Sequence, residues 1–259
     1  MNQPIVIIGI GELGGIFAKS FLRNGFPVFP VVRSMNMSDE AKIVPDPQLV
    51  IVAVAEKDFQ SVISNIPSQW KSRMGLLQNE LLPRDWVSHD IENPTVVSVW
   101  FEKKKGMDYK VLISSRVYGP RANLIADSLG SIHIPCLVLT GEDELLYELV
   151  RKNVFVFTIN IAGLVLEEGA TTQTLWGKHN ELALTIANEV MDVQEWLTGT
   201  TFRRKRLIDG FEEGIRGDPD HKCKGRAARG RLARMIAAAD AAGLRIPGIR
   251  AIYKGETCL

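Results

Sequence analysis

The sequence predicts an α/β half with a doubly wound, mostly parallel sheet, followed by an all-α half. Three observations carry that reading. A glycine-rich turn, Gly9-Ile-Gly11-Glu12-Leu13-Gly14, joins an apolar β-rich run to a helical pattern. Strand-length apolar runs then alternate with helical patterns as far as Leu139. From Thr140 onward strand-like runs become scarce and long helical periodicities take over.

Pro4–Ile10 reads as a first strand, and Leu13, Ile16, Phe17, Phe21 and Leu22 share one face of a helix over Glu12–Asn24. Gly25 stops that helix and Phe26–Val32 forms a second strand, completing one β-α-β crossover. Residues 34–48 are polar, contain two prolines and are expected to be a connecting loop. Leu49–Ala55 is continuously apolar, as a strand buried on both faces should be. A helix interrupted near Pro67 is expected over Asp58–Trp70, then strands at Arg73–Gln78, Thr95–Phe101 and Lys110–Ser115. Arg121–Leu129 has a helical pattern and Ile134–Leu139 is the last expected strand. Thr140 to Asp143 resembles a capping box, so the domain boundary is placed near residue 141. Domains 1–141 and 142–259 follow, the second with helices near 143–166, 179–198, 204–214 and 226–242.

Composition excludes several classes. Hydrophobic residues are 46% and charged residues 24%, which argues against disorder or fibre. The longest apolar run, Val154–Leu166, is broken by Thr158, Asn160 and Gly163 and is too short for a bilayer, so no membrane association is expected. The first apolar stretch runs into a glycine turn, which argues against a signal peptide. Cys136, Cys223 and Cys258 are far apart and odd in number, so free thiols and a cytoplasmic location are expected. Net charge is +1, but fourteen lysines and arginines face seven acids between Thr201 and Leu259. Residues 203–234 suit a small anionic substrate, a solvated helix face or an oligomer contact, and lack the aromatic interleaving of a nucleic-acid surface. His221 and Cys223 form a lone H-x-C with no second ligand pair, so no metal is expected. There is no G-x-S-x-G nucleophile elbow.

The glycine turn fits G-x-G-x-x-G between strand and helix, the setting in which that motif binds a dinucleotide in a Rossmann domain. Gly9 makes the tight turn, Gly11 lets the backbone approach a pyrophosphate, and Gly14 lets the helix pack on the strand. The N–H groups at Glu12, Leu13 and Gly14 face the same phosphates. At the end of the second strand stand Arg33 and Ser34, where an NAD site commonly carries an acid. A guanidinium and a hydroxyl suit a 2′-phosphate, so NADP(H) is the expected cofactor.

With these residues the chain resembles the ketopantoate reductase family, two-domain reductases related in form to 6-phosphogluconate dehydrogenase. The resemblance extends through Lys57 to Gln60 after the LVIVAVA strand, where the family places a lysine near the cofactor. It continues at Gln78-Asn79, similar to a strand-end asparagine near nicotinamide and substrate, and at Gly119-Pro120 and Ile134–Val138. The family carries Lys, Asn and Asn at spacing 0, +4 and +8 on the first helix of its second domain. Here those positions hold Lys152, Val156 and Asn160, which lie within about 80° on a helix. Glu189–Val193 fits the following helix, whereas the family's late serine and glutamate have no clear counterpart.

The resemblance implies an NADPH-dependent reduction of a small 2-oxo acid and a possible homodimer. Lys152 is the implied proton donor, with Asn160 and Asn79 orienting substrate or nicotinamide. Two rivals stay open. One is an imine reductase of the pyrroline-carboxylate reductase type. The other is a non-catalytic NADP-binding protein.

Overall fold

The structure, a computed structural model, describes residues 2–255; Cys258 and the end of the C-terminal tail lie outside them. The chain divides into two compact units, Met1–Leu149 and Val150–Leu259.

The first unit is built on β1 (Ile5–Ile8), β2 (Val28–Val31), β3 (Leu49–Val52), β4 (Met74–Leu76), β5 (Thr95–Ser98), β8 (Ser115–Tyr118) and β9 (Cys136–Val138). Among the described residues they form one sheet of order β2-β1-β3-β4-β5-β8-β9. β1 to β5 are parallel; β8 pairs antiparallel with β5, and β9 runs parallel to β8. α1 (Glu12–Arg23) and α5 (Ala122–Gly130) pack together on the sheet. Phe17 and Phe21 from α1, and Ile125 and Leu129 from α5, join Ile5, Ile7, Leu49 and Ile51 in one core. Burying one such side chain contributes roughly 1.5–3 kcal/mol. That gain explains why IVII and LVIV, apolar at every position, become central strands.

Several expectations need correction. The presumed loop 34–48 contains α2 (Met37–Ile43), started by Asn36, whose side chain accepts from Ser38 N at 2.9 Å. The prolines at 45 and 47 follow this helix and masked it. α3 (Glu56–Ile63) ends before Pro67, and Trp70 lies in a separate 3₁₀ turn, Ser68–Arg73, with its indole donating to Val44 O at 2.9 Å. A four-residue α4 (Arg84–Val87) was not foreseen. The expected strands at 95–101 and 110–115 each divide, because β6 (Phe101–Lys103) and β7 (Tyr109–Val111) leave the main sheet as an antiparallel hairpin.

α6 (Glu142–Ala162) crosses the division between the units. It starts one residue later than a cap at Thr140 requires. Gly141 O accepts from Leu145 N, and Glu144, not Asp143, reaches back to Thr140 N and Oγ1 at 2.9 Å. It stops at Ala162 instead of residue 166. A Cβ on Gly163 would lie 2.7 Å from Lys224 N and 2.8 Å from Cys223, so chain passing close by needs a glycine there.

In the second unit α8 (Asn180–Thr198) is the common partner of α7 (Thr172–Lys178), α9 (Arg204–Gly217), α10 (Ala228–Ala242) and α11 (Pro247–Lys254). α7 and α11 were missed. The first is two turns capped by Thr171; the second opens with Pro247 at its first turn. α11 docks through Glu189, whose carboxylate accepts from Gly248 N and Ile249 N, each at 2.8 Å. Among the described residues no helix is long and apolar enough to cross a membrane.

Candidate cofactor and reaction site

In an open parallel sheet, ligands bind outside the carboxyl ends of the strands, where the strand order reverses. Here the chain leaves β1 for β2 on one side and returns to β3 on the other, so the switch point lies at β1. A cavity of about 380 Å³ opens there. It is lined by Gly9 and Gly11 after β1, by Arg33, Met35 and Met37 after β2, and by Val54 and Asp58 after β3.

The loop geometry gives the glycines different roles. Gly9 has φ +94°, and a Cβ there would lie 2.9 Å from Ala53 O. A Cβ on Gly14 would sit 2.0 Å from Gly9 O, so only glycine lets α1 come this close to the turn. Gly11 differs: a Cβ there would meet nothing within 4 Å. The space above it is open, as a bound phosphate requires. Gly11 is also the N-cap of α1 and supplies no side-chain cap. The first-turn N–H groups at Glu12, Leu13 and Gly14 are those a helix leaves without intrahelical partners. Open space at Gly11 and an uncapped helix start fit the diphosphate of a dinucleotide.

Charges around the loop are paired. Glu12 would face that diphosphate unfavourably, and Lys103 of β6 meets it at 3.2 Å. Arg33 is almost fully exposed and its Nη2 reaches Asp58 Oδ2 at 3.1 Å. Ser34 is exposed and does not line the cavity. Lys57 is exposed in the first turn of α3, also outside the lining. Asn79, just beyond β4, donates to Glu56 Oε1 at 2.9 Å, while Gln78 ties β4 to β3 by donating to Val52 O at 2.7 Å. Glu80 follows at φ +68°, a backbone state rare for such a residue.

Lys152 and Asn160 lie two turns apart on α6, in the second unit. Lys152 is partly exposed, its Nζ 5.9 Å from the Phe155 ring centre. Asn160 is buried and its Oδ1 accepts from Arg231 Nη1 at 3.0 Å. Val156, between them, is buried in the apolar face. The basic stretch disperses locally. Arg204 pairs with Asp192 and Glu195, Lys205 with Asp209, and Arg216 with Glu212. Cys136 and Cys223 are free thiols, both pushed up to about 12 by burial, too high for a nucleophilic thiolate at neutral pH.

Sequence reasoning found the glycines and Arg33 but missed Asp58, Lys103, Met35 and Met37. Asp58 reads in sequence as an acid in the first turn of a helix. The signal that reveals it is its position after β3, beside the switch point.

No protein-family model matches the chain. A search of curated proteins finds no match. Solved structures do match over almost the whole length. A probable 2-dehydropantoate 2-reductase from Bacillus subtilis superposes with TM-score 0.69 at 15% identity, covering 97% of this chain and 98% of that one. D-Mandelate dehydrogenase in a ternary structure with NADH and anilino(oxo)acetate gives 0.69 at 16% identity, covering 97% and 96%. A dimeric ketopantoate reductase from Staphylococcus aureus gives 0.66 at 13%, covering 97% and 96%. The chain therefore has the fold of the ketopantoate reductases and of D-mandelate dehydrogenase, a Rossmann-like sheet followed by a mainly helical region.

Proposed function

We propose that the chain is an NADPH-dependent reductase of a small anionic 2-oxo acid. One observation carries the proposal: the cavity at the β1 switch point, with open space over Gly11 and a guanidinium at its β2 side. Gly11 and the N–H groups of Glu12, Leu13 and Gly14 would hold the diphosphate. Arg33 would pair with the 2′-phosphate, helped by the Ser34 hydroxyl. Lys57 adds positive charge at the carboxyl edge of the sheet. A nicotinamide held there would supply the hydride for reduction of a carbonyl carbon. Lys152 holds the proton that the carbonyl oxygen takes up, and as an ammonium it stabilises the developing alkoxide. Asn79, fixed by Glu56, and Asn160, fixed by Arg231, would orient neutral groups without adding charge.

Support comes from the fold, which this chain shares with an enzyme solved with NADH and with several 2-dehydropantoate 2-reductases. The dimer described for the Staphylococcus aureus enzyme makes a homodimer the assembly to look for.

The test is a fluorescence titration with NADPH and NADH, followed by a turnover screen on 2-oxo acids. NADPH binding is expected to weaken about tenfold, or 1.4 kcal/mol, in Arg33→Ala. Turnover on a 2-oxo acid is expected to fall at least about a hundredfold in Lys152→Ala. Failure to bind either cofactor sinks the proposal. Turnover of a cyclic imine and of no 2-oxo acid would reassign the substrate class.

A further inference from the structure

Asp58 stands where two demands on the cofactor cavity meet. It belongs to the first turn of α3, where a carboxylate is favoured by the helix N-terminus. It is only a third exposed and lines the same cavity as Arg33, with Oδ2 3.1 Å from Arg33 Nη2. An ion pair with one partner this exposed is weakly held, so a ligand can take either member.

The two nicotinamide dinucleotides ask different things of this pair. A 2′-phosphate needs the guanidinium and is repelled by a carboxylate on the same guanidinium. A ribose 2′-hydroxyl is a donor, and a carboxylate at the adenosine end is the usual group that accepts from it. The usual position for that acid, the end of β2, is occupied here by Arg33 and Ser34. Asp58 reaches the same guanidinium from β3's side of the switch point. Each cofactor thus finds one favourable partner, Arg33 or Asp58, and NADPH also finds an unfavourable one.

We propose that Asp58 is a specificity-determining residue that restrains the NADPH preference set by Arg33 and allows NADH to bind. The inference rests on the cofactor site proposed above and deepens it. The Arg33–Asp58 pair acts as a charge balance: removing either member tips the preference in opposite directions.

The experiment measures dissociation constants for NADPH and NADH on the full chain. In parallel it uses 2′,5′-ADP and 5′-AMP, which carry no nicotinamide and read the adenosine end alone. The wild type is expected to favour the 2′-phosphorylated ligand of each pair by less than about tenfold. Asp58→Asn is expected to raise that ratio at least about fivefold, mainly through tighter binding of the phosphorylated ligand. Arg33→Ala is expected to invert it, and the double variant to lose preference. Asp58→Ser should match Asp58→Asn, guarding against an effect of the amide itself. A ratio within about twofold of wild type in both Asp58 variants would overturn the inference while leaving the cofactor site standing. A wild type that binds none of the four ligands would overturn both.

Discussion

Two glycines three residues apart, Gly11 and Gly14, make opposite predictions at the residue scale. Gly14 has no room for a methyl group, since its Cβ would press on Gly9 O. Gly14→Ala is expected to lower stability by about 1–3 kcal/mol, read as a fall in the denaturant midpoint. Gly11 has room to spare, so Gly11→Ala should keep its unfolding free energy within about 0.5 kcal/mol of wild type. Cofactor affinity should nevertheless fall, because the methyl occupies space meant for phosphate. A Gly11→Ala protein that binds NADPH as tightly as wild type would contradict the placement of the diphosphate. The tight packing at Gly14 and the open space at Gly11 were legible in the sequence, because one motif spans both within six residues. Asp58 was not legible. It stands 25 residues from Arg33, and only the parallel pairing of β1 with both β2 and β3 brings the two ends together.

At the scale of elements, the long helices and the main-sheet strands other than β8 (Ser115–Tyr118) followed from periodicity, whereas the expected run 110–115 reached only the first residue of β8 and the short elements did not follow. α2, α4, α7 and α11 span four to eight residues, too few for an apolar stripe to repeat. They are fixed by caps and docking, and α11 shows how. Glu189 is nearly buried, and burial raises its pKa more than the Ile249 and Gly248 N–H groups lower it. A carboxyl group with a raised folded-state pKa contributes stability that is complete below its unfolded value. That contribution fades as pH rises through the folded value. The stability of the wild type relative to Glu189→Gln should therefore decline from about pH 4.5 upward. Thermal melts of the two proteins across the weakly acidic range measure it, and a flat difference would refute it. The β6–β7 hairpin escaped prediction for another reason. β6, Phe-Glu-Lys, follows β5 after only two residues, Val99 and Trp100, so one apolar run covers both strands and does not show where the chain leaves the main sheet.

For the molecule as a whole, the order of an α/β half and an α half was readable from the loss of strand-length runs after residue 139. The place of the division was harder to read, because it falls between Leu149 and Val150, inside the unbroken α6. A sequence boundary is sought in loops, and here the capping signal at Thr140 marks the helix start eight residues earlier. Helix residues 142–149 count with the first unit, and Leu145 and Leu149 among them are buried. Anyone dividing the gene therefore faces a choice that a flexible linker would have spared them. A fragment ending at 149 retains those leucines and should stay in solution longer than one ending at 141, a difference sedimentation after expression would reveal. A protease offered the intact chain should find no scissile site at the junction, because a hydrogen-bonded helix does not present an extended backbone for cleavage. The division falls within hydrogen-bonded helix, which must be unwound before it can be cut.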